Sequence, residues 1–195
     1  NDVNRGNAVR NYGNMTINGG YYTACDNYLN GGYAYAIANG GASYADAEIT
    51  INNATVYGSI NGLIAADGGR ITVKAGTYTL GDGTENNLWR IVYTSGSGTV
   101  VLEDGTYTRN VNNNNAFFGA YGTGNITVNG GTFTDEVHDY ILVDGEAPTI
   151  INGGTFSGDI QGAMAQDNRY IWVSTIEEMQ KAVSSSQDGD IIKLK

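Results

Sequence analysis

The sequence predicts an all-β protein: a parallel β-helix of about six coils over residues 1–170, followed over 171–195 by an amphipathic helix and a strand. Three observations lead there. A nine-residue unit recurs six times. The composition favours strands and turns over helices. The last segment then abandons the repeat for helical spacing.

Gly contributes 29 of the 195 residues and Asn 23, against 7 Leu and 1 Pro. Gly and Asn are poor helix formers, and bundles need Leu-like stripes, so a helical bundle is excluded. Apolar residues reach 41% and charged ones only 15%, with 14 Tyr and 19 Thr. That is a strand-favouring set and not the composition of a disordered chain.

The repeat units align without gaps as MTINGGYYT (15–23), ITINNATVY (49–57), ITVKAGTYT (71–79), VVLEDGTYT (100–108), ITVNGGTFT (126–134) and TIINGGTFS (149–157). A constant core with variable spacing means one structural unit joined by loops of differing length. Each unit reads as strand, tight turn, strand. The third column (Ile17, Ile51, Val73, Leu102, Val128, Ile151) and the eighth (Tyr22, Val56, Tyr78, Tyr107, Phe133, Phe156) alternate with polar positions, so both should point inward. Between them lie Asn-Gly-Gly, Ala-Gly or Asp-Gly steps that tolerate positive φ. No single unit can bury its own apolar face. Stacked units can, with strands of successive coils paired in parallel about 4.8 Å apart. The fourth-column Asn18, Asn52, Asn129 and Asn152 should then hydrogen-bond from coil to coil. A further strand per coil is expected at Ala36–Ala38, Leu63–Ala65, Ile91–Tyr93, Ala116–Phe118 and Tyr140–Val143.

Over 174–183 the apolar residues fall at Ile176, Met179, Ala182 and Val183, which is helical spacing. Ser174 with Glu177, or Thr175 with Glu178, offers a capping box. A polar turn over 184–190 precedes the strand Ile191–Lys195.

The units ITVNGGTFT and TIINGGTFS resemble the coils of the pectin-lyase-like right-handed parallel β-helix superfamily, common in bacterial surface proteins and phage tail or fibre proteins. The resemblance covers residues 13–159 and implies a right-handed coil. It is specific for fold and unspecific for function, since this architecture carries lyases, hydrolases, adhesins and inert stalks. In that superfamily an element like STIEEMQKAVSSSQDGDIIKLK usually opens a β-helix and caps its N-terminal end. Here it either caps this array from the other end or begins a second β-helix beyond Lys195. With no initiating Met and no basic leader, the chain reads as a piece of something longer.

Ten basic against twenty acidic residues give a net charge of −10. No basic footprint exists for a nucleic acid, and docking on anionic membranes is disfavoured. No apolar run approaches the roughly 18 residues that span a bilayer. Cys25 is the only cysteine, which excludes an intramolecular disulfide and a cysteine-based zinc site. No cofactor is expected, though isolated Asp residues could hold calcium.

Lyases of the resembled fold imply an Arg or Lys base and an acidic calcium site. Arg70, Lys74, Arg90 and Arg109 lie near the coils, outside any recognisable motif, and read as solvated surface charges. Glycosidases need two carboxylates. Neighbours along a strand face opposite sides, so a pair would have to come from different coils, with Glu103 and Asp135 or Glu136 as candidates. His138, the only His, reads as a surface residue beside acids. Aromatics outside the ladders (Tyr12, Tyr28, Tyr33, Tyr35, Tyr44, Trp89, Tyr121) cluster in the longer inserts. Of these, Tyr28, Tyr33, Tyr35, Trp89 and Tyr121 are the candidate glycan contacts. Finally, Thr77/Thr79, Thr106/Thr108 and Thr132/Thr134 form Thr-x-Thr steps that resemble ice-binding faces. Strands favour outward Thr in any case, and the ranks are interrupted by Tyr21, Tyr57 and Ser157.

The expectation from sequence is therefore a non-catalytic structural or adhesion module of an extracellular fibre or surface protein, on a virion or a bacterial cell. It would contact a surface polysaccharide and assemble as a homotrimer. The alternative is a polysaccharide-degrading enzyme of the same fold.

Overall fold

The computed structural model describes residues 7–23, 35–41, 43–58, 61–66, 68–81, 89–187 and 189–194. The chain winds as a right-handed parallel β-helix. Among the described residues, six coils each give one strand to three parallel sheets, and a seventh adds one strand to the first sheet and one to the second. The first sheet stacks Val9–Asn11, Tyr35–Gly40, Asn61–Ala66, Arg90–Ser95, Phe118–Ala120, Tyr140–Gly145 and Asp159–Gln161. The second stacks Asn14–Ile17, Glu48–Ile51, Arg70–Val73, Thr99–Leu102, Asn125–Val128, Thr149–Ile151 and Ala165–Asp167. The third stacks Tyr21–Thr23, Thr55–Tyr57, Thr77–Leu80, Thr106–Arg109, Thr132–Asp135 and Thr155–Phe156.

The register is that of the gapless alignment. Ile17, Ile51, Val73, Leu102, Val128 and Ile151 are successive partners down the second sheet. Tyr22, Val56, Tyr78, Tyr107, Phe133 and Phe156 are partners down the third. Because parallel pairing repeats every ~4.8 Å, aligned rings are forced into a face-to-face column. Tyr78–Tyr107, Tyr107–Phe133 and Phe133–Phe156 stack with centroids 4.8, 4.8 and 4.7 Å apart and planes within 14°. The tyrosines keep a polar outlet. The hydroxyls of Tyr22, Tyr78 and Tyr107 donate to the carbonyls of Gly19, Ala75 and Asp104, each three residues back in the turn. Burial pushes the Tyr78 and Tyr107 hydroxyls well above the ordinary tyrosine value. The turn itself needs a left-handed residue. Its sixth column is Gly20, Gly76, Gly105, Gly131 and Gly154, with φ from +99° to +133°.

The fourth column forms the expected amide ladder. Asn52 donates to Asn18 at 2.7 Å, Asn168 to Asn152 at 2.9 Å, and Asn152 to Asn129 at 3.0 Å. Asn168 belongs to the seventh coil, which lacks the repeat motif. A second, buried pair was not legible: Asn11 donates to Asn39, whose own amide donates to the Ala47 and Arg70 carbonyls at the corner between the first and second sheets.

At the C-terminal end Arg169 lies over the last ring of the aromatic column, its guanidinium carbon 4.4 Å from the Phe156 centroid. Asp167 binds it with both carboxylate oxygens, at 2.9 and 2.8 Å. Beyond it, Tyr170–Val173 pairs in parallel with Ile191–Leu194, and the helix Ile176–Ser185 connects them. Thr175 caps the helix by accepting from Glu178 N, and the Glu178 carboxylate accepts from Ser174 N. Thr175 with Glu178 is thus the working cap.

Candidate functional site

The elements that could do chemistry sit at three places on the coil. The first is the outer face of the first sheet. Alternation from Val92 and Thr94 would turn Arg90 inward. The N–H groups of Ile91 and Val92 instead both reach one carbonyl, Phe117 O, at 3.1 and 3.4 Å. The ladder is irregular at Ile91, which has no register partner on Asn61–Ala66, and the side chain before it leaves the alternation. Arg90 runs across the outside of the sheet over Gly119, where an added Cβ would lie 2.2 Å from Arg90 Cδ. One guanidinium nitrogen donates to Tyr121 Oη and to Asp144 Oδ2, both at 2.8 Å. Tyr121 Oη donates to the same carboxylate oxygen at 2.5 Å. The rings of Trp89, Tyr93 and Tyr121 surround the guanidinium carbon at 5.2–5.7 Å.

The charges of this group are interlocked. The Tyr121 hydrogen bond holds the Asp144 carboxyl below the usual carboxylate range, against burial and with help from Arg90 and the Gly145 N–H. Burial and the bond to Asp144 push the Tyr121 hydroxyl up to about 12. Arg90 is 7% exposed, whereas the Asp144 side chain is 51% exposed. The open part of the site is therefore a carboxylate edge between half-buried aromatic rings. A carboxylate has about four lone-pair sites. Arg90, Tyr121 and Gly145 N account for three, which leaves one on the exposed rim.

Two of the sequence-predicted contacts, Trp89 and Tyr121, meet here. Tyr35 lies in the same register column, in line with Asn61 and then Arg90. Tyr28, Tyr33 and Cys25 lie outside the described residues. Tyr12 and Tyr44 form a separate exposed pair, rings 4.5 Å apart, beside a shallow pocket of about 270 Å³.

The second place holds the carboxylates expected as catalytic candidates, and it does not bring them together. Glu103 leads into the turn before the third sheet, and its Oε2 accepts from Asn129 at 3.1 Å, extending the amide ladder by one coil. Asp135 and Glu136 lie at the far end of the third sheet's strands, one strand length away. Asp135 is buried and consumed by its surroundings. Its Oδ2 accepts from Arg109 at 2.9 Å, and its Oδ1 accepts from Val137 N and His138 N, both at 3.0 Å. His138 Nδ1 lies 3.2 Å from that same oxygen. Glu136 is exposed. Arg109 is fully buried: Nη1 also donates to Val111 O and Nη2 to Asn113 O and Asn113 Oδ1, while Nε is buried without a partner. Arg90 and Arg109 are thus not the solvated surface charges expected from sequence, whereas Arg70 and Lys74 are exposed. What hid them is that both are neutralised by acids one or two coils away.

The third place is a polar groove of about 350 Å³ along the Asn-Gly-Gly turns, lined by Asp104, Asn129, Thr132 and Thr155 and closed on one side by Gly189. Among the described residues no three His, Cys, Asp or Glu side chains converge as a metal site.

Comparison with protein-family models, with curated proteins and with solved structures gave no match.

Proposed function

We propose that the chain is a non-catalytic module of a fibre or cell-surface protein, built on the pectin-lyase-like plan and working outside the cell as a rigid arm that contacts glycans. The observation that carries this reading is the Arg90–Tyr121–Asp144 group on the outer face of the first sheet, framed by Trp89 and Tyr93. Aromatic faces with a fixed carboxylate edge suit a sugar, whose apolar ring face stacks while its hydroxyls bond the carboxylate. The scaffold supports it: three continuous ladders with in-register stacks resist bending and give a fixed base on which such a group stays pre-organised. Catalysis finds less support. Asp135 is locked in a buried ion pair, and Glu103 lies a strand length from Glu136.

The test is affinity electrophoresis and depolymerisation on one panel of bacterial and plant polysaccharides, with and without calcium. Retardation by one glycan, abolished in Asp144→Ala, is the expected result. Cleavage that disappears in Asp144→Asn or Glu136→Gln would replace the module with an enzyme. Retardation unchanged in Asp144→Ala would move the contact elsewhere.

A further inference from the structure

The outer face of the third sheet differs from the rest of this acidic molecule. Its outward positions are the seventh and ninth columns of the repeat. The seventh column runs Tyr21, Thr55, Thr77, Thr106, Thr132, Thr155 in direct register. The ninth runs Thr23, Tyr57, Thr79, Thr108, Thr134, and Ser157 follows in the sixth coil. Every one of these side chains ends in a hydroxyl, including the residues that interrupt the threonine ranks. None is charged, although the chain carries 30 charged residues and a net charge of −10.

The geometry of the array follows from the backbone. Coil-to-coil spacing is about 4.8 Å, and residues two apart along a strand are separated by about 6.7 Å. Thr is β-branched and stiff at χ1, so equivalent positions in a regular sheet repeat one side-chain orientation. Among the described residues, no hydrogen bond within the chain engages the hydroxyls from Thr77 to Thr134 in the two ranks. The seventh-column threonines are exposed; in the ninth column Thr79, Thr108 and Thr134 are half-buried and Thr23 is exposed. The result, among the described residues of the three coils from Thr77 to Thr134, is a rectangular grid of methyl and hydroxyl groups with no partner within the chain, uncharged and held at fixed spacing; at its edge Ser157 Oγ accepts from Asp135 N.

A grid like this does not suit a charged ligand, which would find no counter-charge. It offers no stacking platform over its central three coils either. Its match is a surface that is itself an uncharged lattice of hydrogen-bonding oxygens, and the spacing lies near that of oxygens on a prism face of ice. We propose that the outer face of the third sheet binds ice, the methyl groups ordering water in the gaps while the hydroxyls anchor it. The site is separate from the Arg90 group, which lies on the first sheet, so either can fail alone.

The test is thermal hysteresis with inspection of crystal habit on the purified chain. The expected result is a freezing gap with faceted crystals, lost in Thr106→Lys and in Thr132→Lys. These changes lie on a solvent face, where most substitutions cost within about 0.5 kcal/mol, and an unchanged circular dichroism spectrum certifies the fold. Thr127→Lys, on the outer face of the second sheet, should keep the gap. Round, unfaceted crystals with no gap in the unmodified chain overturn the proposal. So does loss of the gap in Thr127→Lys to the same degree as in Thr106→Lys, since the effect would then not belong to this face.

Discussion

Replacing Asp135 by Asn tests whether the buried charge pair holds the third sheet together. Arg109 is 0% exposed at its side chain and Asp135 4%. Asn keeps a side-chain oxygen for the Val137 and His138 N–H groups but removes the counter-charge, which leaves a guanidinium enclosed among carbonyls. At an effective dielectric near 20, charge centres about 4 Å apart attract by about 4 kcal/mol. Breaking one side of a buried pair characteristically costs about 3–5 kcal/mol. For a chain of this size each kcal/mol shifts the melting temperature by about 2–4 °C, so the loss should be on the order of 10 °C. Thermal melts followed by circular dichroism read this directly. Solenoids can open coil by coil, so amide exchange around Thr106–Arg109 and Thr132–Asp135 should show the same loss locally. The double change Arg109→Met with Asp135→Asn removes both charges, keeps an oxygen for Val137 N and His138 N, and should recover most of the stability. A cost below about 1 kcal/mol for Asp135→Asn would refute the reasoning, since a charge of that burial cannot lose its partner so cheaply.

Other expectations follow from the same contacts. Gly119→Ala should leave the fold melting near its normal temperature but displace Arg90 and weaken glycan retardation, because the new Cβ would fall 2.2 Å from Arg90 Cδ. Arg169→Met should destabilise the C-terminal coils by about 1–3 kcal/mol through loss of the ring contact and the paired Asp167; chemical denaturation measures it. Tyrosinate absorbance should show Tyr121 ionising near 12, and Asp144→Ala should bring it down towards the ordinary tyrosine range. The sign follows from that raised value. The stability Tyr121 adds is complete below pH about 10 and disappears as pH rises through about 12. Asp144 acts at the other end: its lowered value adds stability above the usual carboxylate range that is lost on acidification, and its exposure keeps that contribution small.

The coil architecture was legible because a solenoid turns sequence repetition into spatial adjacency. Once the units align, Ile51 must lie on Ile17 and Tyr107 on Tyr78, and the strands, the aromatic column, the amide ladder and the capped helix all follow from local pattern. The first strand and the seventh coil were less legible. Val9–Asn11 precedes the first repeat unit, Asp159–Gln161 and Ala165–Asp167 follow the last, and all three are recruited by pairing with the regular strands beside them.

The candidate site was legible only in pieces. Trp89 and Tyr121 stood out as aromatics in the inserts, but nothing in the sequence joined them to Arg90 and Asp144, 54 residues apart. The irregular ladder at Ile91 overrides the alternation that would have pointed Arg90 inward, and its lane over Gly119 depends on a missing side chain in the next coil. Asp135 shows the converse. Sequence offered it as a candidate carboxylate of a catalytic pair, and tertiary packing placed it against Arg109 and closed it off. Period and composition determined the winding of this chain, because register repeats what a single unit specifies. Which charges meet, and which are left facing solvent, was decided by contacts between coils at unequal loop spacings, and no single unit carries that information.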